Sequence, residues 1–377
     1  MRSVLVTGGA GFIGGNFVHY WHRRHSDDRL VVLDALTYAG NLATLAHVLD
    51  GPRVTFVHGD ITDAAVVQRV LADHDIDTVV HFAAESHVDR SIVDPGAFVR
   101  TNVLGTQILL DAARHAWHNN GAWRDRVRFH HVSTDEVYGS LSLDDPSFHE
   151  ATPYAPSSSY AASKAGSDHL VRAYAHTYGL PVSISNCSNN YGPYQFPEKL
   201  IPLMIVNALH GKPLPLYGDG RQIRDWLYVD DHCAAIERIL EAPVEGETFN
   251  VGGEAEHENI EIVGRLCDLL DALFAADPLL AVRFPACPAA RAGGSCRELV
   301  THVRDRPGHD RRYAIDPTRI RSRLRFTPSE TLQSGLARTV TWFLANEPWW
   351  RGVMDGSYRQ WIDTQYAPER RMDRDGA

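Results

Sequence analysis

Cysteine is scarce in this chain of 377 residues: five stand at Cys187, Cys233, Cys267, Cys287 and Cys296, with no C-x-x-C pair and no zinc-type spacing. That pattern argues against a disulfide framework and against a cysteine-built metal centre, so no metal is expected. Cys287 and Cys296 share the Ala/Pro/Gly-rich piece FPACPAARAGGSC, which can bring them close, and a reduced cytosolic loop is the expectation there. Long apolar runs are absent too. Nothing reaches the roughly 18 uninterrupted apolar residues of a membrane span, and the apolar start SVLVT is too short for a signal segment, so a cytoplasmic protein is expected. No basic run occurs either. With 47 acidic against 37 basic residues the formal charge is −10, which repels nucleic acid and anionic membranes. Anionic partners should be small ones, held by a few Arg and Lys side chains in a pocket.

What the chain does contain is rhythm. Hydrophobic residues make up 44% of it, enough for a sizeable core. Short Val/Leu/Ile-rich runs recur between helix-period stretches: SVLVT, LVVLD, VTFVHGD, TVVHFA, VRFHHVST and PVSISNC. Runs apolar on both faces, separated by segments such as 12–24, 63–74 and 95–118, predict parallel strands covered by helices on each side. From about residue 190 the pattern becomes loops, helices and short strands (PLPLYG, TFNVGG, RRYAID). The reading is an α/β, Rossmann-type doubly wound parallel sheet over residues 1–190, and a smaller mixed substrate-binding region over 191–377 with some segments returning to the main domain. The tail with Trp349, Trp350 and Trp361 is expected to pack back on the body.

The first strand runs into VLVTGGAGFIGG, which spaces Gly8, Gly11 and Gly14 at the start of a helix. Glycines there permit a tight turn and close approach of a pyrophosphate to unpaired helix N–H groups. Asp34 ends the second strand, where a carboxylate takes both ribose hydroxyls and repels a 2′-phosphate, favouring NAD over NADP. Asp60 and Ile61 follow the third strand, and Phe82, Ala83, Ala84 and Ser86 the fourth. Tyr160 and Lys164 are four apart on a helix and share one face. The ammonium is expected to lower the tyrosine pKa and make it a base for a substrate hydroxyl. Thr134, Asp135 and Glu136 follow the fifth strand on the same carboxyl edge. Two adjacent carboxylates raise one pKa, supplying an acid and a base for removal of water beside a transient ketone. The plain alternative is that Asp135 caps the next turn and Glu136 is solvated.

These residues resemble the extended short-chain dehydrogenase/reductases, and specifically the dTDP-glucose 4,6-dehydratases. The likeness runs through TGGAGFIG, AAESHVDRS, STDEVYG, YAASK, NCSNNYGPYQFPEKLIP, GDGRQIRDWLYVDDH and RDRPGHDRRYAID, nearly end to end. It implies a thymidine diphosphate hexose as substrate, a tightly held NAD, and a homodimer. Tyr160, assisted by Lys164 and Thr134, would take the 4-hydroxyl proton; Glu136 would take the C5 proton and Asp135 protonate the 6-hydroxyl. By the same resemblance Phe12, Ile13, Thr37, Thr101 and Asn190 join the cofactor set. Ser86, Thr134, Asn189, Lys199, Leu200, Pro215, Tyr217, Arg224, Asn259, Asp305, Arg306, Pro307, Gly308 and His309 would line the substrate. Three departures stand out: Gly15 in place of a serine, a short loop between Gly139 and Tyr160, and a longer stretch at about 272–301. Two other readings stay open, a nucleotide-sugar epimerase or decarboxylase on the same scaffold and an NAD-binding regulator without activity. Only the Asp135–Glu136 pair separates the first of these from a dehydratase.

Overall fold

The computed structural model describes residues 1–305 and 308–354; Arg306, Pro307 and Trp361 lie outside the described residues. Seven parallel strands form the central sheet: β1 (Ser3–Thr7), β2 (Arg29–Asp34), β3 (Val54–His58), β4 (Thr78–His81), β5 (Arg128–Thr134), β6 (Val182–Cys187) and β7 (Glu247–Val251). Their order across the sheet is β7, β6, β5, β4, β1, β2, β3. Each of the six runs read as strands in the sequence lies in this sheet, and TFNV supplies its edge.

The strands are apolar on both faces because both faces are covered. Along β1, Val4 and Val6 point into one core with Phe17, Trp21 and Ile236. The intervening Leu5 points into the other, with Leu109, Trp117, Phe129 and Val171. This period-2 alternation between two buried layers is what a doubly covered parallel strand requires. All seven residues of β5 are buried, polar ones included. His130 is accommodated by Ser183 and Ser185 of β6 at 2.9 and 3.1 Å. The chain builds β1, β2 and β3 in one direction and then returns to place β4 on the other side of β1. That reversal leaves a crevice at the carboxyl ends of β1 and β4, the usual ligand position in such sheets.

Immediately after β6, the strand Asn189–Tyr191 leaves the main sheet and pairs with Ile223–Tyr228, which pairs in turn with Glu256–Glu258. Strand Leu214–Tyr217 pairs with Val300–Val303. A separate core of Ile205, Trp226, Leu266, Phe343 and Trp350 holds these pieces together. RRYAID does not form the expected strand. It makes isolated bridges at Arg312 and Ile315, because its backbone bonds alternately to 141–148 on one side and to Ile223 on the other, so no ladder propagates. The 272–301 stretch folds as the end of helix Asn259–Ala276, a helix Pro278–Arg283 and two short turns, the second closed by a Ser295/Glu298 capping box. Cys287 and Cys296 do meet there, as free thiols with sulfurs 3.6 Å apart.

Trp349 and Trp350 return to the body. Trp350 is fully buried and donates its indole N–H to the Phe343 carbonyl at 2.8 Å, while Trp349 reaches Thr44 at 3.3 Å. Trp350→Ala is expected to cost about 3–5 kcal/mol, read as a lower urea midpoint; unfolding at the wild-type midpoint would contradict this docking.

Candidate active site

The crevice is shaped first by glycine. Gly8 has φ +70°, and a Cβ there would lie 2.6 Å from the Ala83 nitrogen; one on Gly14 would lie 2.4 Å from the Gly8 carbonyl oxygen. No larger residue fits either position without moving backbone. Helix α1 (Phe12–Arg24) begins at Gly11 with no side-chain cap, so its first N–H groups are available to an anion. Gly15 has its own reason: a Cβ would meet the Thr44 methyl at 2.5 Å. Asp34, at the end of β2, accepts from Leu36 N at 2.8 Å and from Ala10 N at 2.9 Å. It therefore ties the glycine turn to the following loop, and burial raises its pKa against those two bonds.

One cleft is lined by every residue of the expected cofactor set, from Gly8, Gly11, Phe12, Ile13 and Gly14 through Asp34, Thr37, Asp60, Ile61, Phe82, Ala83, Ala84, Ser86 and Thr101 to Tyr160, Lys164 and Asn190. Thr134, Asp135, Glu136, Asn189 and Lys199 line the same cleft. The other described residues of the expected substrate set are not part of that lining. Tyr217 bonds Asp89 at 3.3 Å and meets the His309 ring edge-on at 5.9 Å. His309 lies 2.6 Å from Asp305, and a Cβ on Gly218 would touch that carboxylate at 2.9 Å. Arg224 bonds the Asp310 carbonyl at 3.0 Å and covers the Tyr313 ring at 4.2 Å. Leu200 opens helix Leu200–Leu209, Pro215 sits on strand Leu214–Tyr217, Asn259 opens its own helix, and Gly308 lies in a turn.

The reactive end is held by β5 and by helix α2 (Ser159–Tyr178). Ser158 caps α2, accepting from Ala161 N at 3.1 Å, which fixes Tyr160 in the first turn with Lys164 one turn further on. Lys164 is buried and donates to the Val132 carbonyl of β5 at 2.8 Å. Burial pulls its ammonium pKa down, opposed by Asp168 and Cys187. Burial works against Asp168 as well, but His131 and Lys164 hold that carboxylate below its usual range. His131, in contact with it at 3.2 Å, is pushed down to about 4 by burial and by Lys164.

Thr134, not Asp135, caps the turn Asp135–Tyr138, by accepting from Glu136 N at 3.3 Å. Asp135 is 2% exposed. Its Oδ1 accepts from the Thr134 hydroxyl at 3.3 Å, and its Oδ2 has no hydrogen-bond partner among the described residues. Burial first, then Glu136 and Asp225, lift its pKa well above the normal range. Tyr160 departs from expectation: burial and then Glu136 push the phenol up, while a hydrogen bond with Thr134 pulls it down. Lys164, whose ammonium donates to the Val132 carbonyl, is not among the leading influences on this balance.

Sequence reasoning passed over Glu198, which lines the cleft, is buried, and pairs with Arg90 at 3.0 Å. Its place beside Lys199 in an otherwise apolar run was the available signal. Asp168, one turn beyond Lys164 on the same face, was missed likewise.

A family model described as GDP-mannose 4,6 dehydratase matches residues 5–339. A dTDP-glucose 4,6-dehydratase from Neisseria meningitidis serogroup B is 54% identical over 360 residues, covering 95% of this chain and 98% of its own. Another, from Xanthomonas campestris pv. campestris, is 56% identical with coverages of 95% and 98%. Among solved structures, a dTDP-glucose 4,6-dehydratase from Streptomyces venezuelae with NAD bound superposes with a TM-score of 0.81 at 47% identity, over 94% of this chain and 100% of that one. The UDP-glucose 4-epimerase of Thermus thermophilus with NAD gives 0.75 at 28% identity, over 92% and 100%.

Gly14→Ala should empty the glycine turn of its ligand. The purified variant is expected to carry at least about tenfold less bound dinucleotide, measured on nucleotide released by denaturation; unchanged content would contradict the role given to the turn.

Proposed function

The chain belongs to the dTDP-glucose 4,6-dehydratase family, and from its site we propose that it converts dTDP-glucose to dTDP-4-keto-6-deoxyglucose as an NAD-dependent lyase. One observation favours this over an epimerase on the same scaffold: a buried carboxyl, Asp135, whose pKa is held well above the normal range, adjoins a second carboxyl, Glu136, at the end of β5. Epimerisation through a C4 ketone has no use for an acid and base directed at C5 and C6.

The residues fit a dinucleotide through the glycine turn, the uncapped start of α1 and Asp34. Held there, NAD would supply hydride acceptance at C4 and hydride donation at C6. Tyr160, aligned by Thr134, takes the 4-hydroxyl proton. The resulting ketone acidifies the C5–H, which Glu136 removes. Asp135 gives its proton to the 6-hydroxyl, and water departs. Glu136 then returns a proton to C5. Lys164 holds α2 to β5; Asn189 is assigned to the sugar phosphates and Asn190 to the nicotinamide.

Lys199, Arg224, Asn259, Asp305, Gly308 and His309 take the nucleotide diphosphate end. Positioned cations are what a chain of net charge −10 needs there. A homodimer and a cytoplasmic location are part of the same reading. Exposed Val99 and Leu104 border a shallow apolar groove with Gly96, Val103 and Leu170. Among the described residues no helix is long and apolar enough to cross a membrane.

Glu136→Gln separates the steps. On adding dTDP-glucose the variant should still reduce its bound NAD, seen as reduced-nicotinamide absorbance, while 4-keto-6-deoxy product falls by about 10²-fold or more. Wild-type turnover by this variant would overturn the assignment of the base.

A further inference from the structure

Asn190 is held on three sides. Its backbone carbonyl accepts from the Gln195 amide at 3.0 Å. Its side-chain Nδ2 donates to the Ser188 carbonyl at 2.9 Å, and its Oδ1 lies 3.0 Å from Nδ1 of His232. The histidine arrives through strand pairing. Asn190 stands opposite Leu227 in the parallel pair that follows β6, and helix Val229–Glu241 starts directly after that strand. His232, in its first turn, is thereby brought back beside Asn190.

The donors and acceptors in this group can be assigned one by one. A backbone carbonyl only accepts, so the end of the Asn190 amide that faces Ser188 is the NH2 and the end that faces His232 is the oxygen. That oxygen also only accepts, so His232 Nδ1 carries a hydrogen and donates it. The ring is fully buried, and its Nε2 has no partner among the described residues. A proton on Nε2 as well would bury a charge with an unmet donor, and burial pulls the imidazole pKa down to about 3. The arrangement that leaves no donor unmet is a neutral ring with its hydrogen on Nδ1. Packing alone would be served by an apolar side chain, which has no nitrogen to leave orphaned, so the histidine needs another reason.

Asn190 lines the cleft with the glycine turn, Tyr160 and Lys164, whereas His232 is not part of that lining. An asparagine amide without such restraint can turn end for end, exchanging a donor edge for an acceptor edge. Resting on the assignment of Asn190 to the nicotinamide in the reading above, we propose that His232 is a positioning residue for the cofactor, which locks the Asn190 amide from behind the cleft so that the nicotinamide always meets the same edge. His232 acts only through Asn190 and touches no reacting atom.

The test is displacement of NAD by ADP-ribose, which has the same adenosine and diphosphate but no nicotinamide. Holoenzyme loaded with radiolabelled NAD is titrated with ADP-ribose to equilibrium, and the concentration that releases half the label reads the ratio of the two affinities. In His232→Leu that concentration should fall at least about tenfold, and in His232→Asn, which keeps an amide N–H near the place of Nδ1, it should return to the wild-type value. General damage to the fold weakens both nucleotides together and leaves the ratio alone, so a wild-type ratio in His232→Leu overturns the proposal. Asn190→Ala should show the same fall; a wild-type ratio there brings down the assignment of Asn190, and the proposal with it. The wild-type protein supplies a second reading should His232→Leu not fold. In ¹⁵N-histidine-labelled holoenzyme the His232 signal, identified by its loss in His232→Asn, should report a neutral ring with hydrogen on Nδ1, and hydrogen on Nε2 overturns the lock. No sugar enters either measurement, so an enzyme that passes both and forms no keto sugar sinks the dehydratase reading and not this one.

Discussion

Two carboxyl groups cannot both be ionised side by side at a buried strand end. Charge repulsion and desolvation act in the same direction, and each disfavours the second anion. At the carboxyl end of β5 this conflict falls on Asp135, which is the more deeply buried of the two and is opposed by Asp225 as well. In the proposed reaction that difference in surroundings is what divides two chemically similar side chains into an acid and a base. The rest of the fold serves to hold that pair against a sugar and a dinucleotide.

The support is a set of short, specific attachments. Lys164 pins α2 to the backbone of β5, Thr134 caps the turn that carries both acids, and Asn186 of β6 bonds the Thr134 carbonyl at 3.1 Å. Behind them lies a polar layer in which Asp168 is shared by His131 and by Tyr154, the latter at 2.7 Å. Such a buried network is costly unless satisfied, and here it supplies the counter-charge that keeps a buried lysine compatible with the interior. Catalytic geometry and core packing are the same contacts viewed from two sides.

Much of this was legible in the sequence because the decisive spacings are local. Two-residue alternation separates the two cores, i,i+4 spacing puts Tyr160 and Lys164 on one face, and adjacency alone sets Asp135 beside Glu136. Whatever depends on which distant segment arrives as a neighbour was not legible. The direction of the Tyr160 pKa follows from burial and Glu136, not from the lysine four residues away. RRYAID has strand-like composition, but two different segments compete for its backbone. Glu198 and Asp168 enter the picture through Arg90 and His131, which are remote in the chain. The alternative in which Asp135 caps the turn falls because the threonine before it is already in place to bond Glu136 N.

The scaffold is shared with epimerases, so the central claim is that this site moves hydrogen at C5 as well as at C4. Incubating the NAD-loaded enzyme with dTDP-glucose in deuterated water measures that directly in the mass and NMR spectrum of the product. The account predicts a keto sugar that has lost one water and carries one solvent deuterium, located at C5. A product of unchanged elemental composition, or a dehydrated one with ordinary hydrogen at C5, would contradict it.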